Sequence, residues 1–260
     1  MEVVILSGSK PIAALAADAI GALLQRKADA VLGLATGSSP LPVYNELALR
    51  HERDGLDFGQ VRGFALDEYV GLPPGHPESY REVIRREFTE RVNIDPVNVL
   101  GPDGSAADVP AACRSFEDAL RGAGGVDLQL LGVGTDGHIG FNEPGSSLAS
   151  RTRIKTLIEQ TRRDNARFFG SLSKVPHHVL TQGLGTILEA RHVILIATGA
   201  QKAQAVRDLV EGPVAAICPA SVLQLHPHAT VLLDEAAASS LRLADYYRHS
   251  FENKPSWQGL

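Results

Sequence analysis

The sequence predicts an α/β fold: a doubly wound, mainly parallel, Rossmann-like sheet with helices on both faces. Two observations carry that expectation. Short β-branched runs alternate with longer helical stretches along the 260 residues, and a βαβα order builds a parallel sheet with right-handed crossovers. Apolar residues make up 44 % and charged residues 21 %, enough for a sizeable core without disulfide or metal staples. No internal repeat, charge block or low-complexity linker divides the chain, so a single domain over residues 1–260 is expected.

In chain order, strands are expected at 3–6, 31–34, 61–66, 97–100, 128–131, 192–197 and 230–233, each a short apolar run. Between them, helices are expected at 11–26, 41–53, 79–88, 110–120, 159–169, 181–188, 202–209 and 235–247. The region of about 151–175 interrupts the alternation with a polar helix carrying Arg162, Arg163 and Arg167. A plain surface helix accounts for it; the reading adopted is a lid segment over a site.

The formal charge of −5 leaves no basic surplus to displace counterions, which argues against nucleic acid as a partner. An anionic substrate must then be recruited by local cations. Cys113 and Cys218 have no paired spacing, so neither a disulfide framework nor a cysteine zinc site is expected. His177-His178 and His226-Pro227-His228 lack the spacing and carboxylates of a metal site, and packing or loop roles are expected. No basic leader opens the chain and no apolar run approaches the ~20 residues of a bilayer span. A cytoplasmic protein without membrane contact is the expectation.

Function is written most densely in Gly132–Pro144, GVGTDGHIGFNEP, which places Asp136, His138 and Glu143 within eight residues. Glycine costs about 1 kcal/mol and proline about 3 in a helix interior, so no helix runs through it. It follows the strand at 128–131, and open α/β sheets put their chemistry at strand C-terminal ends. The first six residues also match G-x-G-x-x-G. That dinucleotide fingerprint needs a helix opening at the loop, which Gly140, Pro144 and Gly145 forbid. No nucleotide cofactor or metal is expected.

Two strand ends suit an anion. In Thr36-Gly37-Ser38-Ser39-Pro40 the N–H groups of Gly37, Ser38 and Ser39 can form a nest at a helix start. Ordinary N-capping by Ser38 or Ser39 explains the same residues. After Ala197-Thr198-Gly199, Lys202 falls in a first helical turn, where a cation opposes the helix dipole unless it faces an anion. A third strand end carries Asp67-Glu68, a solvated cap or a general base whose pKa is raised by burial and its neighbour.

Four segments resemble the glucosamine-6-phosphate deaminase (isomerising) family: LDEYVGL at 66–72, HPESY at 76–80, GVGTDGHIGFNEPGSSLASRTR at 132–153 and LQLHP at 223–227. The resemblance implies conversion of glucosamine 6-phosphate to fructose 6-phosphate and ammonia. It implies that Asp67 moves a proton from C2 to C1, and that His138, oriented by Asp136 and Glu143, opens the sugar ring. Gly37, Ser38, Ser39, Arg167 and Lys202 would hold the phosphate; the loop reads TGSSP where some relatives carry TGGTP, which keeps the backbone donors. Some family members are hexamers activated by N-acetylglucosamine 6-phosphate, and Ser146, Arg153 and Lys155 resemble that effector site. Arg153 and Lys155, as alternate residues of an extended segment, would project the same way. The effector-contacting tyrosine aligns only approximately, with Tyr246-Tyr247. The wider superfamily includes 6-phosphogluconolactonases, so a lactonase is the alternative enzyme and a sugar-phosphate sensor the non-enzymatic one.

Overall fold

The computed structural model describes every residue except Ser256. In chain order its elements are β1 (Glu2–Leu6), α1 (Ser9–Arg26), β2 (Val31–Leu34), α2 (Leu41–Asp54), β3 (Arg62–Ala65), β4 (Asp67–Tyr69), α3 (Tyr80–Glu87), β5 (Val99–Leu100) and α4 (Val109–Gly122). They continue with β6 (Leu128–Gly132), β7 (Arg153–Thr156), α5 (Glu159–Phe169), β8 (His178–Thr181), α6 (Leu184–Ile187), β9 (His192–Ala197), α7 (Ala203–Glu211), β10 (Ala229–Asp234) and α8 (Ala244–Glu252).

Seven strands form one sheet in the order β1-β10-β9-β6-β2-β3-β5, and every pairing in it is parallel. Alternate strand residues feed two cores. Val31, Leu131, Val193 and Val231 pack against α4, α6 and α7. Leu32, Leu130, Ile194 and Leu232 pack against α1, α2 and α3 on the other face. Burial on both faces is why these strands read as continuous apolar runs rather than alternating ones. The chain progresses outward from β2 to β5 on one side and from β6 toward β10 on the other. The reversal between β2 and β6 opens a crevice at their C-terminal ends, where open α/β sheets bind ligands.

A second sheet, β4-β8-β7, is antiparallel and absent from the expected element list. The expected strand at 61–66 ends at Ala65, and Asp67 opens β4 rather than closing β3. The expected helix at 181–188 shrinks to Leu184–Ile187 because Thr181 is the last residue of β8. Gly183 lies so close to the Ser150 carbonyl that a Cβ would overlap it. Before β5, Pro96–Asn98 forms a single 3-10 turn capped by Asp95, so the strand expected at 97–100 is only Val99–Leu100.

The helix expected at 235–247 is displaced to Ala244–Glu252. Asp234 accepts the Ala237 N–H at 2.7 Å, which folds the following residues into turns. The first turn of α8 has no local side-chain cap. Glu211, at the end of α7, instead fixes the two residues that lead into the helix, accepting the N–H groups of Arg242 and Leu243 at 2.9 Å each. An anchor supplied from about thirty residues away leaves no local signature of the kind an N-cap side chain gives. No helix among the described residues is long and apolar enough to cross a membrane.

Candidate active site

The crevice is built by close backbone approaches. A Cβ on Gly132, at the end of β6, would meet Ser39 Oγ at 3.1 Å, so the loops after β2 and β6 touch. In the β6 loop Gly134 donates to the His138 carbonyl at 2.8 Å, and a side chain at Gly134 would overlap the His138 ring. Gly140, at φ +57°, carries the loop over Asp67: its Cβ would lie 3.6 Å from Asp67 Oδ2. The glycines bring Asp67 and the His138 loop together, although they sit in different sheets.

Asp67 is 6 % exposed. Burial, with a smaller contribution from Glu68, pushes its carboxyl well above the ordinary carboxylate range. No described residue donates a hydrogen bond to it. Its neighbour Glu68 differs: one oxygen accepts from Tyr69 N and Tyr80 N, the other from Arg81 N. Glu68 is thus committed to capping α3, beside the local N-cap Ser79. Of the adjacent carboxylates, only Asp67 is free for chemistry.

His138 Nδ1 lies 2.6 Å from Asp136 Oδ1, bent away from straight hydrogen-bond geometry. Oδ1 also accepts the His138 N–H at 3.2 Å. Burial raises the Asp136 pKa, but the contacts with His138 outweigh it and hold the carboxylate ionised. Glu143 is buried at the end of the same loop, and its partners lie elsewhere. Its Oε1 accepts from Thr161 Oγ1 at 2.8 Å and from Ile158 N at 3.3 Å, at the start of α5. Asp136 therefore touches the histidine ring, while Glu143 caps the helix of the 151–175 region.

The β2 loop reaches α2 through Gly37 at φ +88°. The N-cap of α2 is Pro40, with no side-chain cap, so Ser38 and Ser39 do not serve the capping role that was the alternative for them. Lys202 sits in the 3-10 turn before α7, after Gly199 at φ +89°. Burial pulls its ammonium below the usual lysine value; Asp136 and Asp164 oppose that shift and Arg167 adds to it. Those influences place Lys202 among Asp136 of the β6 loop and two residues of α5. Neither Lys202 nor Arg167 forms an ion pair among the described residues, and Arg167 lies over the Phe168 ring at 4.7 Å.

Two of the three effector-site candidates bond to the end of the same loop. Ser146 is buried and donates its hydroxyl to the Glu143 carbonyl at 2.7 Å. Arg153, on β7, donates to Asn142 Oδ1 at 2.8 Å, and burial lowers its pKa. Lys155, two residues on in β7, projects to the same face and has no side-chain partner among the described residues.

Several contributing residues were not singled out from the sequence. Asn142 is fully buried and ties the Ile139 and Gln182 carbonyls together through Nδ2. Thr181 pairs with Asp67 across β4 and β8 and accepts the Phe141 N–H. Tyr69 and Tyr80 pack with ring centroids 4.8 Å apart, and Phe141 stacks on Tyr80 at 6.0 Å. Asn142, Tyr69 and Tyr80 lie inside the quoted motifs, which is the only signal that could have flagged them. Of the histidines weighed as metal ligands, His226 Nε2 meets the Ala190 carbonyl at 2.7 Å, His228 stacks on His192, and His177 and His178 are exposed. Both cysteines are buried.

Comparison with known proteins places this geometry. Residues 9–232 match the family described as glucosamine-6-phosphate isomerases/6-phosphogluconolactonase. Over the full length of both chains, the protein is 82 % identical to a glucosamine-6-phosphate deaminase of Arthrobacter sp. (strain FB24) and 66 % identical to one of Streptomyces coelicolor. A solved structure of a monomeric glucosamine-6-phosphate deaminase superposes with a TM-score of 0.90 at 42 % identity, covering 92 % of this chain and all of that one. The 6-phosphogluconolactonase of Trypanosoma brucei shares the fold, with a TM-score of 0.74 at 21 % identity over 92 % of this chain and 98 % of its own. The chain belongs to the glucosamine-6-phosphate deaminase family.

Proposed function

We propose that the protein converts glucosamine 6-phosphate to fructose 6-phosphate and ammonia, with the acid/base work divided between His138 and Asp67. The observation that carries the division is the buried Asp67 carboxyl, free of hydrogen-bond donors, beneath the Gly140 turn of the His138 loop. His138 takes the proton from the anomeric hydroxyl and returns it to the ring oxygen, opening the ring to an aldehyde. Only then is the C2–H acidic, because the carbanion can delocalise into the adjacent carbonyl. Asp67 takes that proton; O1 is protonated and an enolamine forms. The same carboxyl delivers its proton to C1, which leaves an imine at C2. Water adds to C2, the nitrogen is protonated, and ammonia leaves. Asp67 shielded from competing donors is a stronger base toward carbon than one stabilised by hydrogen bonds.

Lys202, Arg167 and the N–H groups of Gly37, Ser38 and Ser39 hold the phosphate in this reading. Two neighbouring cations without carboxylate partners among the described residues, and a Gly37 turn that opens the start of α2, support it. The 151–175 region acts as a lid, since α5 brings Arg167 to that site. A lactonase needs no carbon-acid base, so Asp67 argues for the deaminase over the 6-phosphogluconolactonase whose fold is shared.

Ser146, Arg153 and Lys155 are assigned as the N-acetylglucosamine 6-phosphate site of a hexamer. Arg153 supports the assignment: a half-buried guanidinium with no carboxylate partner among the described residues. One solved relative is monomeric, so light scattering should accompany the assay. Ammonia release is measured from glucosamine 6-phosphate with and without the acetylated sugar phosphate. Release of ammonia supports the reaction, and stimulation in a sixfold assembly supports the effector site. No ammonia under either condition refutes the reaction; an unstimulated monomer refutes the effector site.

A further inference from the structure

The lid helix docks through very few side chains. Only Thr161 and Phe169 of α5 are buried. With Asn165 they fall at i, i+4 and i+8, along one face of the helix. Thr161 meets Glu143, as described, and the Phe169 ring meets Tyr69 edge-on at 5.2 Å between centroids. Between them, Asn165 Nδ2 donates to the Tyr69 hydroxyl at 3.0 Å. Asp164 and Arg167, on the adjoining exposed face, lie near enough to Lys202 to influence its charge.

Tyr69 is two residues beyond Asp67 on β4. Its hydroxyl also accepts from Tyr80 at 3.3 Å, and Thr36, the residue before Gly37, adjoins the Tyr80 phenol. A polar run therefore extends from α5 past the catalytic strand to the loop of Gly37–Ser39. Burial pushes the Tyr69 phenol up to about 12, so its hydrogen-bonding pattern is constant through neutral pH.

We propose that Asn165, acting through the Tyr69 hydroxyl, is a positioning residue that holds Arg167 in the neighbourhood of Lys202 before substrate arrives. The latch rests on the phosphate site proposed above. Fixing α5 in advance removes an ordering cost from each binding event and leaves the chemistry at Asp67 unaltered. A neutral hydrogen bond of this kind corresponds to about three- to tenfold in an equilibrium constant.

The test uses Asn165→Ala, Tyr69→Phe and their double variant in the full chain. Tyr69→Phe keeps the ring, and with it the contact to Phe169. Each single variant is expected to raise KM for glucosamine 6-phosphate, and Kd for inorganic phosphate, by about three- to tenfold, with kcat within about twofold. The double variant should be no worse than either single one, because both remove the same bond. In an Arg167→Ala background, Asn165→Ala should have no further effect on phosphate affinity. Amides of residues 159–169 should exchange faster in all latch variants. Unchanged phosphate affinity and amide exchange in the single variants would overturn the latch, as would effects that persist without Arg167. If the wild type releases no ammonia, the reaction assignment fails separately, and phosphate binding and amide exchange still decide the latch.

Discussion

Asp67 and Asp127 are buried to the same extent, each 6 % exposed, at opposite ends of the parallel sheet. Asp127, just before β6, is fully engaged. Its Oδ2 accepts the Val31 N–H and the Lys27 ammonium at 2.7 Å each, and its Oδ1 pairs with Arg191 at 3.0 Å. Asp67, just after β3, accepts nothing from the described residues. The cations repeat the contrast, since Lys27 and Arg191 are paired and Lys202 and Arg167 are not. Burial alone therefore does not mark a site. A buried charge left without partners is costly unless something else uses it, and the buried carboxyl without partners, Asp67, lies at a strand C-terminal end.

Exchanging each carboxylate for its amide separates the two ends most sharply. Asp67→Asn should lower kcat by about 10²- to 10⁴-fold, with the melting temperature unchanged or raised, because an unpaired buried carboxyl is removed. Since the folded carboxyl titrates above its ordinary range, the acid limb of the wild-type pH–rate profile should also lie above that range. A limb at ordinary carboxylate values would separate the limb from Asp67. Lys202→Ala should raise KM by about ten- to a hundredfold, as expected for loss of a charge-assisted contact. Steady-state kinetics would show it, and an unchanged KM would remove Lys202 from the phosphate site. Asp127→Asn should do the converse: turnover per folded molecule stays near wild type, while urea unfolding shows a loss of about 2 kcal/mol, limited by the exposure of Lys27 and Arg191.

An effect of similar size, seen only in acid, belongs to the histidine cluster at the Asp127 end. His192 is buried against His228, with ring centroids 3.7 Å apart, and burial, aided by the neighbouring His228, His226 and Lys254, depresses its pKa to about 3. Between about 6.5 and that value the unfolded chain binds the extra proton and the folded chain does not. Stability therefore falls as pH drops below about 6.5, by about 2 kcal/mol at pH 5 from this group. Unfolding at pH 7 and pH 5 measures it. His192→Asn should flatten the slope; an equally steep slope in that variant would assign it to other groups.

How much was legible follows the same division. The central parallel strands β2, β6, β9 and β10 are buried on both faces and read directly as apolar runs, whereas the edge strand β5 is half-exposed and shorter than expected. The three strands of the small sheet do not read that way: DEY, RIKT and HVLT are short and mixed, and their pairing is set by partners up to about a hundred residues away. The start of α8 was hidden because it has no side-chain cap and its lead-in residues are held by Glu211 of another helix. At the site, Asp136, His138 and Asp67 were recognisable because glycines surround the first two and a strand end carries the third. That Glu143 reaches α5 rather than His138, and that Asn165 meets Tyr69, depends on how the 151–175 region folds back, which no local pattern encodes.

In the proposed reaction the unpartnered carboxyl of Asp67 takes the C2 proton. The most direct test of that step is to incubate C2-deuterated glucosamine 6-phosphate with wild type and with Asp67→Asn, following ammonia release and loss or transfer of the label. Wild type should release ammonia with the label moved to C1 or washed into water, and Asp67→Asn should bind inorganic phosphate normally yet leave the label at C2. Ammonia release and label loss by Asp67→Asn at the wild-type rate would contradict the account.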